Sequence, residues 1–142
     1  MNTVKGAGRA LGNEMRGQLE GDGPRTEPVH GSRILIVEDE GDIRNLLVEL
    51  LEEDGYRVSS ACDGQDALRQ VLLWWPDLIL LDLMLPIMSG WQVLRVLAEH
   101  EMLGRIPVVV VSAFECDMKV AAVIPKPFEV EEVLASVHRL AS

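Results

Sequence analysis

Four kinds of side chain with complementary chemistry stand far apart in this 142-residue chain: the acidic triplet Glu38-Asp39-Glu40, a lone carboxylate at Asp82, the hydroxyl of Ser112 and the ammonium of Lys126. Each lies at the end of an apolar run. Ile34–Val37 precedes the triplet, Leu78–Leu81 precedes Asp82, Val108–Val111 precedes Ser112, and Val120–Ile124 leads into Pro125-Lys126. Carboxylates brought close together repel and raise one another's pKa unless a cation neutralises them. A donor set of hard oxygens, with no His or Cys at ligand spacing, selects Mg²⁺ or Mn²⁺ over zinc. Taken singly, each residue has an ordinary explanation: Asp82 as a helix cap, Lys126 as a solvated charge, the triplet as an acidic first turn favoured by the helix dipole. Their common position after apolar runs argues for a site.

The elements that would position them follow from periodicity. The apolar runs, with Tyr56–Ala61 as a fifth, suit strands, and uninterrupted Val, Ile and Leu suit strands buried on both faces of a parallel sheet. Between them lie helical stripes: Ile43, Leu46, Leu47 and Leu50; then Ala67, Leu68, Val71 and Leu72; then Val93, Leu94 and Leu97. A closing helix carries Val130, Val133, Leu134 and Val137. This alternation predicts a doubly wound α/β fold with right-handed crossovers. Ligand chemistry in such a sheet lies beyond the carboxyl ends of the central strands, where strand order reverses.

The blocks Val37-Glu38-Asp39, Leu81 through Gly90, Val111-Ser112-Ala113 and Lys126-Pro127-Phe128 resemble the signature blocks of response-regulator receiver domains. The resemblance covers residues 33–142, and the separations of 43 and 30 positions between Asp39, Asp82 and Ser112 make it specific. It implies a flavodoxin-like, doubly wound five-stranded parallel sheet of order 2-1-3-4-5 and phosphoryl transfer from histidine to aspartate. Asp82 matches the phosphorylated residue. Asp39 matches the carboxylate that binds Mg²⁺ directly, Glu38 one that acts largely through water, and Met84 a donor of a backbone carbonyl to the metal. Lys126 matches the lysine that pairs with Asp82 and then with phosphoryl oxygens, and Ser112 the hydroxyl that turns to the incoming group. A cis peptide before Pro127 is implied too.

Two departures stand out. Only 14 positions separate Ser112 from Lys126, about two helical turns fewer than receivers usually have, so the fourth helix is expected to be truncated or absent. Val123 stands where the family has a switching Tyr or Phe.

Other features bound the function. Residues 1–32 hold seven of the twelve glycines and balanced charge, and read as a flexible tail in which Leu11, Met15 and Leu19 form a short apolar stripe. The net charge of −10 therefore falls on residues 33–142, a surface that repels nucleic-acid phosphates. No run is long enough to cross a bilayer and no secretory signal opens the chain, so a cytoplasmic location is expected. Cys62 and Cys116 read as free thiols; His30, His100 and His138 read as surface residues, which puts the phosphodonor histidine on another protein. Of Trp74 and Trp75, before Pro76, one is expected to pack and one to be exposed. The chain stops one helix after Lys126, which suggests a single-domain regulator, fed by a sensor histidine kinase or histidine phosphotransfer protein, that signals by binding a partner. A phosphorelay intermediate and a constitutive interaction module are the alternatives. A dehalogenase-type phosphatase would need an acid where Met84 stands, and a flavodoxin a phosphate-cradling loop where the acidic triplet stands.

Overall fold

The computed structural model describes residues 31–141. Five strands form: β1 (Arg33–Val37), β2 (Arg57–Ala61), β3 (Leu78–Leu81), β4 (Val108–Ser112) and β5 (Ala122–Pro125). All pair in parallel in the order β2-β1-β3-β4-β5, so the expected fold class is found. Four helices, α1 (Gly41–Glu53), α2 (Gly64–Trp74), α3 (Gly90–Ala98) and α4 (Val130–Leu140), cover the two faces.

The residues explain the layering. Successive strand side chains point to opposite faces, and here both faces are dry. Leu35, Val37, Ile79, Leu81, Val108 and Val110 meet Ala67 and Val71 of α2 and Val93, Leu94 and Leu97 of α3. The alternate residues Ile34, Ile36, Leu78, Leu80, Val109 and Val111 meet Leu47 and Leu51 of α1 and Val133 and Val137 of α4. Each such side chain contributes roughly 1.5–3 kcal/mol by leaving water, so the three central strands dominate the core and their sequences run apolar without interruption.

The helix stripes need correction at their flanks. Leu46 and Leu72 are 41% and 60% exposed. The buried rows are Leu47 with Leu51, and Gly64, Ala67 and Val71, which are narrower than the apolar stripes. Asp63 caps α2 by accepting the Asp66 N–H, and Ser89 and Gln92 form a reciprocal capping box at the start of α3. Trp75 ends α2 in the left-handed region at φ 52°; Trp74 packs on the core and Trp75 is exposed, as expected.

Between β4 and β5 no helix forms, and only a single 3₁₀ turn at Leu103–Arg105 precedes β4. The truncation expected from spacing is complete. His138, expected at the surface, is exposed there, where it bonds the Asp54 carboxylate and lies beside the Tyr56 ring. Among the described residues no helix is long and apolar enough to cross a membrane. Residues 1–30 of the expected tail, with the Leu11–Met15–Leu19 stripe, lie outside the described residues; Ser32, expected within the tail, is instead buried and its carbonyl accepts the Arg57 N–H at 2.9 Å.

Candidate functional site

The site is built by the sheet ladder running one residue past its strands. The Glu38 N–H donates to the Ala61 carbonyl, the Asp82 N–H to Val37 and the Lys126 N–H to Ser112, each at 3.0 Å. Main-chain bonding therefore holds three of the expected residues at the carboxyl edge, and Ser112 ends β4 itself. Glu38, Asp82 and Ser112 are all buried.

Side chains then close on one another. The Lys126 Nζ donates to Asp82 Oδ2 at 3.0 Å and to Glu38 Oε1 at 2.8 Å. The second contact was not foreseen from the chain, which suggested only the pairing with Asp82. Glu38 Oε2 accepts the Glu40 N–H at 3.1 Å, and Asp82 Oδ1 accepts the Met84 N–H at 3.3 Å. Carboxylate oxygens of Glu38, Asp39 and Asp82 all lie within 4.8 Å of one another, with Asp39 exposed. They border a cavity of about 530 Å³ that Met84, Ser112, Phe114 and Lys126 also line.

Electrostatics follow from this crowding. Burial pushes the Glu38 carboxyl above its usual pKa and the nearby Asp82 charge adds to it, against the hydrogen bonds from Lys126 and the Glu40 N–H. For Lys126 burial opposes the ammonium, but hydrogen bonds and charge from Glu38 and Asp82 prevail and hold its pKa above the ordinary value. The lysine is a firm cation.

Two supports lie behind these groups. Gly90, the first residue of α3, is pressed against the main chain of Asp82 and Leu83: a Cβ there would stand 2.3 Å from the Asp82 carbonyl oxygen and 2.7 Å from Leu83 Cα. Arg44, on α1, donates from one guanidinium nitrogen to the carbonyls of Glu38 and Asp39, at 2.9 and 3.3 Å. It passed unnoticed in the sequence. Its signal was a cation near a helix N-terminus, where the dipole disfavours one.

The donor set fits a hard divalent cation: clustered carboxylate oxygens, one of them open to solvent, with neither histidine nor thiolate among them. A parallel sheet with acids and a lysine at the reversal point of its strand order defines a class of protein that binds anionic groups or metals there. Residues 34–138 match the response regulator receiver domain family, and the chain belongs to it. Over 113 residues it is 40% identical to the phosphate regulon transcriptional regulatory protein PhoB of Klebsiella pneumoniae, covering 74% of this chain and 49% of that protein. The chain thus spans about half the length of that relative. Among solved structures it resembles the receiver domain of a signal transduction histidine kinase from Syntrophus aciditrophicus, with TM-score 0.74, 30% identity and coverage of 78% and 90% of the two chains. It also resembles the receiver domain of the sensor histidine kinase PA1611 from Pseudomonas aeruginosa, with magnesium coordinated in its active-site cleft, at TM-score 0.72, 28% identity and coverage of 78% and 98%.

Proposed function

We propose that this receiver domain takes a phosphoryl group on Asp82 from a histidine of a sensor kinase or histidine phosphotransfer protein, and signals by phosphorylation-dependent binding to another protein. The observation that carries this reading is the Asp82 carboxylate itself, held 3.0 Å from Lys126 beside two further carboxylates. An Asp82 oxygen forms a bond to phosphorus as the phosphorus–nitrogen bond of phosphohistidine breaks and imidazole leaves. Phosphoryl transfer is mostly positioning and neutralisation of charge on the equatorial oxygens. Lys126 supplies one positive charge there, and the Ser112 hydroxyl supplies a neutral donor. Asp39 and Asp82, with the Met84 carbonyl and Glu38 through water, are the residues proposed to hold Mg²⁺, or Mn²⁺. The ion supplies further charge neutralisation to the phosphoryl oxygens when bound. Because the same groups bear on formation and hydrolysis of the mixed anhydride, the domain assists its own phosphorylation and dephosphorylation.

The test is Mg²⁺-dependent labelling by acetyl phosphate. Label on Asp82 in wild type, lost with EDTA and in Asp82→Asn, is the expected result; persistent acid-stable label in Asp82→Asn overturns the assignment.

A second reading, a phosphorelay intermediate, draws support from the two kinase-borne receiver domains that resemble the chain at 30% and 28% identity. Movement of label from Asp82 to a histidine phosphotransfer protein, as opposed to release as inorganic phosphate, separates the two.

A further inference from the structure

The acidic triplet is the turn that joins β1 to α1, and one residue holds all three of its carbonyls. The Arg44 N–H donates to the Glu40 carbonyl at 2.9 Å. One guanidinium nitrogen, Nη1, donates to the carbonyls of Glu38 at 2.9 Å and Asp39 at 3.3 Å. The first of these is the bond any helix makes four residues back. The other two carbonyls precede Glu40, the N-cap of α1, and lie outside the helical ladder. Glu38 Oε2 closes the turn from within by accepting the Glu40 N–H. Among the described residues the Arg44 guanidinium pairs with no carboxylate, although Glu38, Asp39, Glu40 and Asp42 all stand within six positions of it. Its donors go to main chain.

We propose that Arg44 is the positioning residue of the cation site: by holding the peptide planes on either side of Asp39, it fixes where that exposed carboxylate stands beside Glu38 and Asp82. This deepens the proposed function and rests on Asp39 and Asp82 as holders of the ion.

Charge alone gives Arg44 the opposite role. A cation in the first turn of a helix is opposed by the helix dipole, and a guanidinium near a cation site repels the ion that is to bind there. Both terms count against it. What Arg44 supplies is order. A residue has only two soft backbone dihedrals, and they lie between its two flanking peptide planes. The Glu38 and Asp39 carbonyls belong to the planes that flank Asp39, so fixing both fixes the direction of the Asp39 Cβ. A ligand set ordered in advance spares binding the loss of freedom that ordering costs. The planar fork matters, because Nη1 carries two N–H groups in a fixed geometry and serves two carbonyls with them. An ammonium carries the charge without the plane. Groups that orient the ligands of a metal typically change its affinity by about 10–100-fold.

Mn²⁺ binding to the full chain, read from the loss of the free-ion paramagnetic resonance signal, measures affinity without any phosphoryl chemistry. Arg44→Met and Arg44→Lys should each bind Mn²⁺ about tenfold more weakly than wild type, or worse. Measurements are made well below the melting temperature of each variant in EDTA, so that loss of fold is not read as loss of the site; should Arg44→Met not fold, Arg44→Lys decides alone. Unchanged or tighter binding in Arg44→Met, the result that charge alone dictates, overturns the positioning role and leaves the cation site standing. Wild-type affinity in Arg44→Lys overturns it equally, since the charge would then suffice. Absence of Mn²⁺ binding in wild type, or undiminished binding in Asp39→Asn, overturns the cation site and the positioning role with it.

Discussion

The Lys126 ammonium is shared between Glu38 and Asp82, and the consequences fall differently on the two carboxylates. Both are buried, Asp82 at 5% and Glu38 at 2% exposure, and for Glu38 burial is the leading cause of a raised pKa. A carboxyl whose folded pKa exceeds its unfolded one binds protons more readily when folded, so its contribution to stability falls as pH rises through that range. At neutral pH in EDTA the Glu38 charge therefore costs stability, and the cost disappears on acidification. Urea unfolding at pH 7 and pH 5 in EDTA, for wild type and Glu38→Gln, should show wild type gaining on the variant as pH falls. A difference that stays constant or moves the other way would mean that hydrogen bonds from Lys126 and the Glu40 N–H outweigh burial.

At the scale of elements, α3 starts against Asp82, the proposed acceptor. Its capping box orients the helix, but Gly90 decides how near it comes, because the atoms that a side chain would meet are the main chain of Asp82 and Leu83. Main chain tied directly to the end of a sheet ladder yields little, and overpacking typically costs about 1–3 kcal/mol. Gly90→Ala should therefore lose about 2 kcal/mol or more and slow phosphoryl labelling, since the shift falls on Asp82. Gly104, where a Cβ would stand no closer than 3.4 Å to its neighbours, is the control: Gly104→Ala should leave stability and labelling near wild type. Equal losses in both variants would mean that the close approach at Gly90 is not what positions Asp82. The strands were legible in the chain because central strands dry on both faces leave unbroken runs such as Val108–Val111, whereas their order was implied only by the resemblance to receiver domains. Helix faces were less so, since Leu46 and Leu72 have the right period but sit beside the buried row. Glu38, Asp82 and Ser112 came into view because each ends a run. The Lys126–Glu38 contact did not: β1 and β5 are not neighbours in the sheet, so it depends on side-chain reach across two intervening strands. Nor did the Phe114–Trp91 contact, made from a segment that forms no regular element.

For the molecule as a whole, charge is the governing quantity. The chain carries a net charge of −10, and three carboxylates converge at one point of it. Charges spread over the surface are screened beyond a Debye length of about 8 Å at physiological ionic strength, so dissolved salt relieves the general excess. It relieves the cluster much less, because Glu38 and Asp82 are buried and share a single lysine. A divalent cation held by the cluster is a ligand of the folded state alone, and mass action converts its affinity into stability. At ten times its dissociation constant Mg²⁺ should add about 1.4 kcal/mol, equivalent to a rise in Tm of about 5 °C for a domain of this size. Thermal melts at fixed ionic strength, with NaCl exchanged for MgCl₂, isolate this term from screening. Asp39→Asn removes the exposed carboxylate of the cluster while leaving the Lys126 contacts with Glu38 and Asp82 in place, so it should melt normally without metal and lose the Mg²⁺-dependent rise. If wild type does not respond, or Asp39→Asn responds as fully, the ion acts on the surface at large and the carboxylate cluster is not its site.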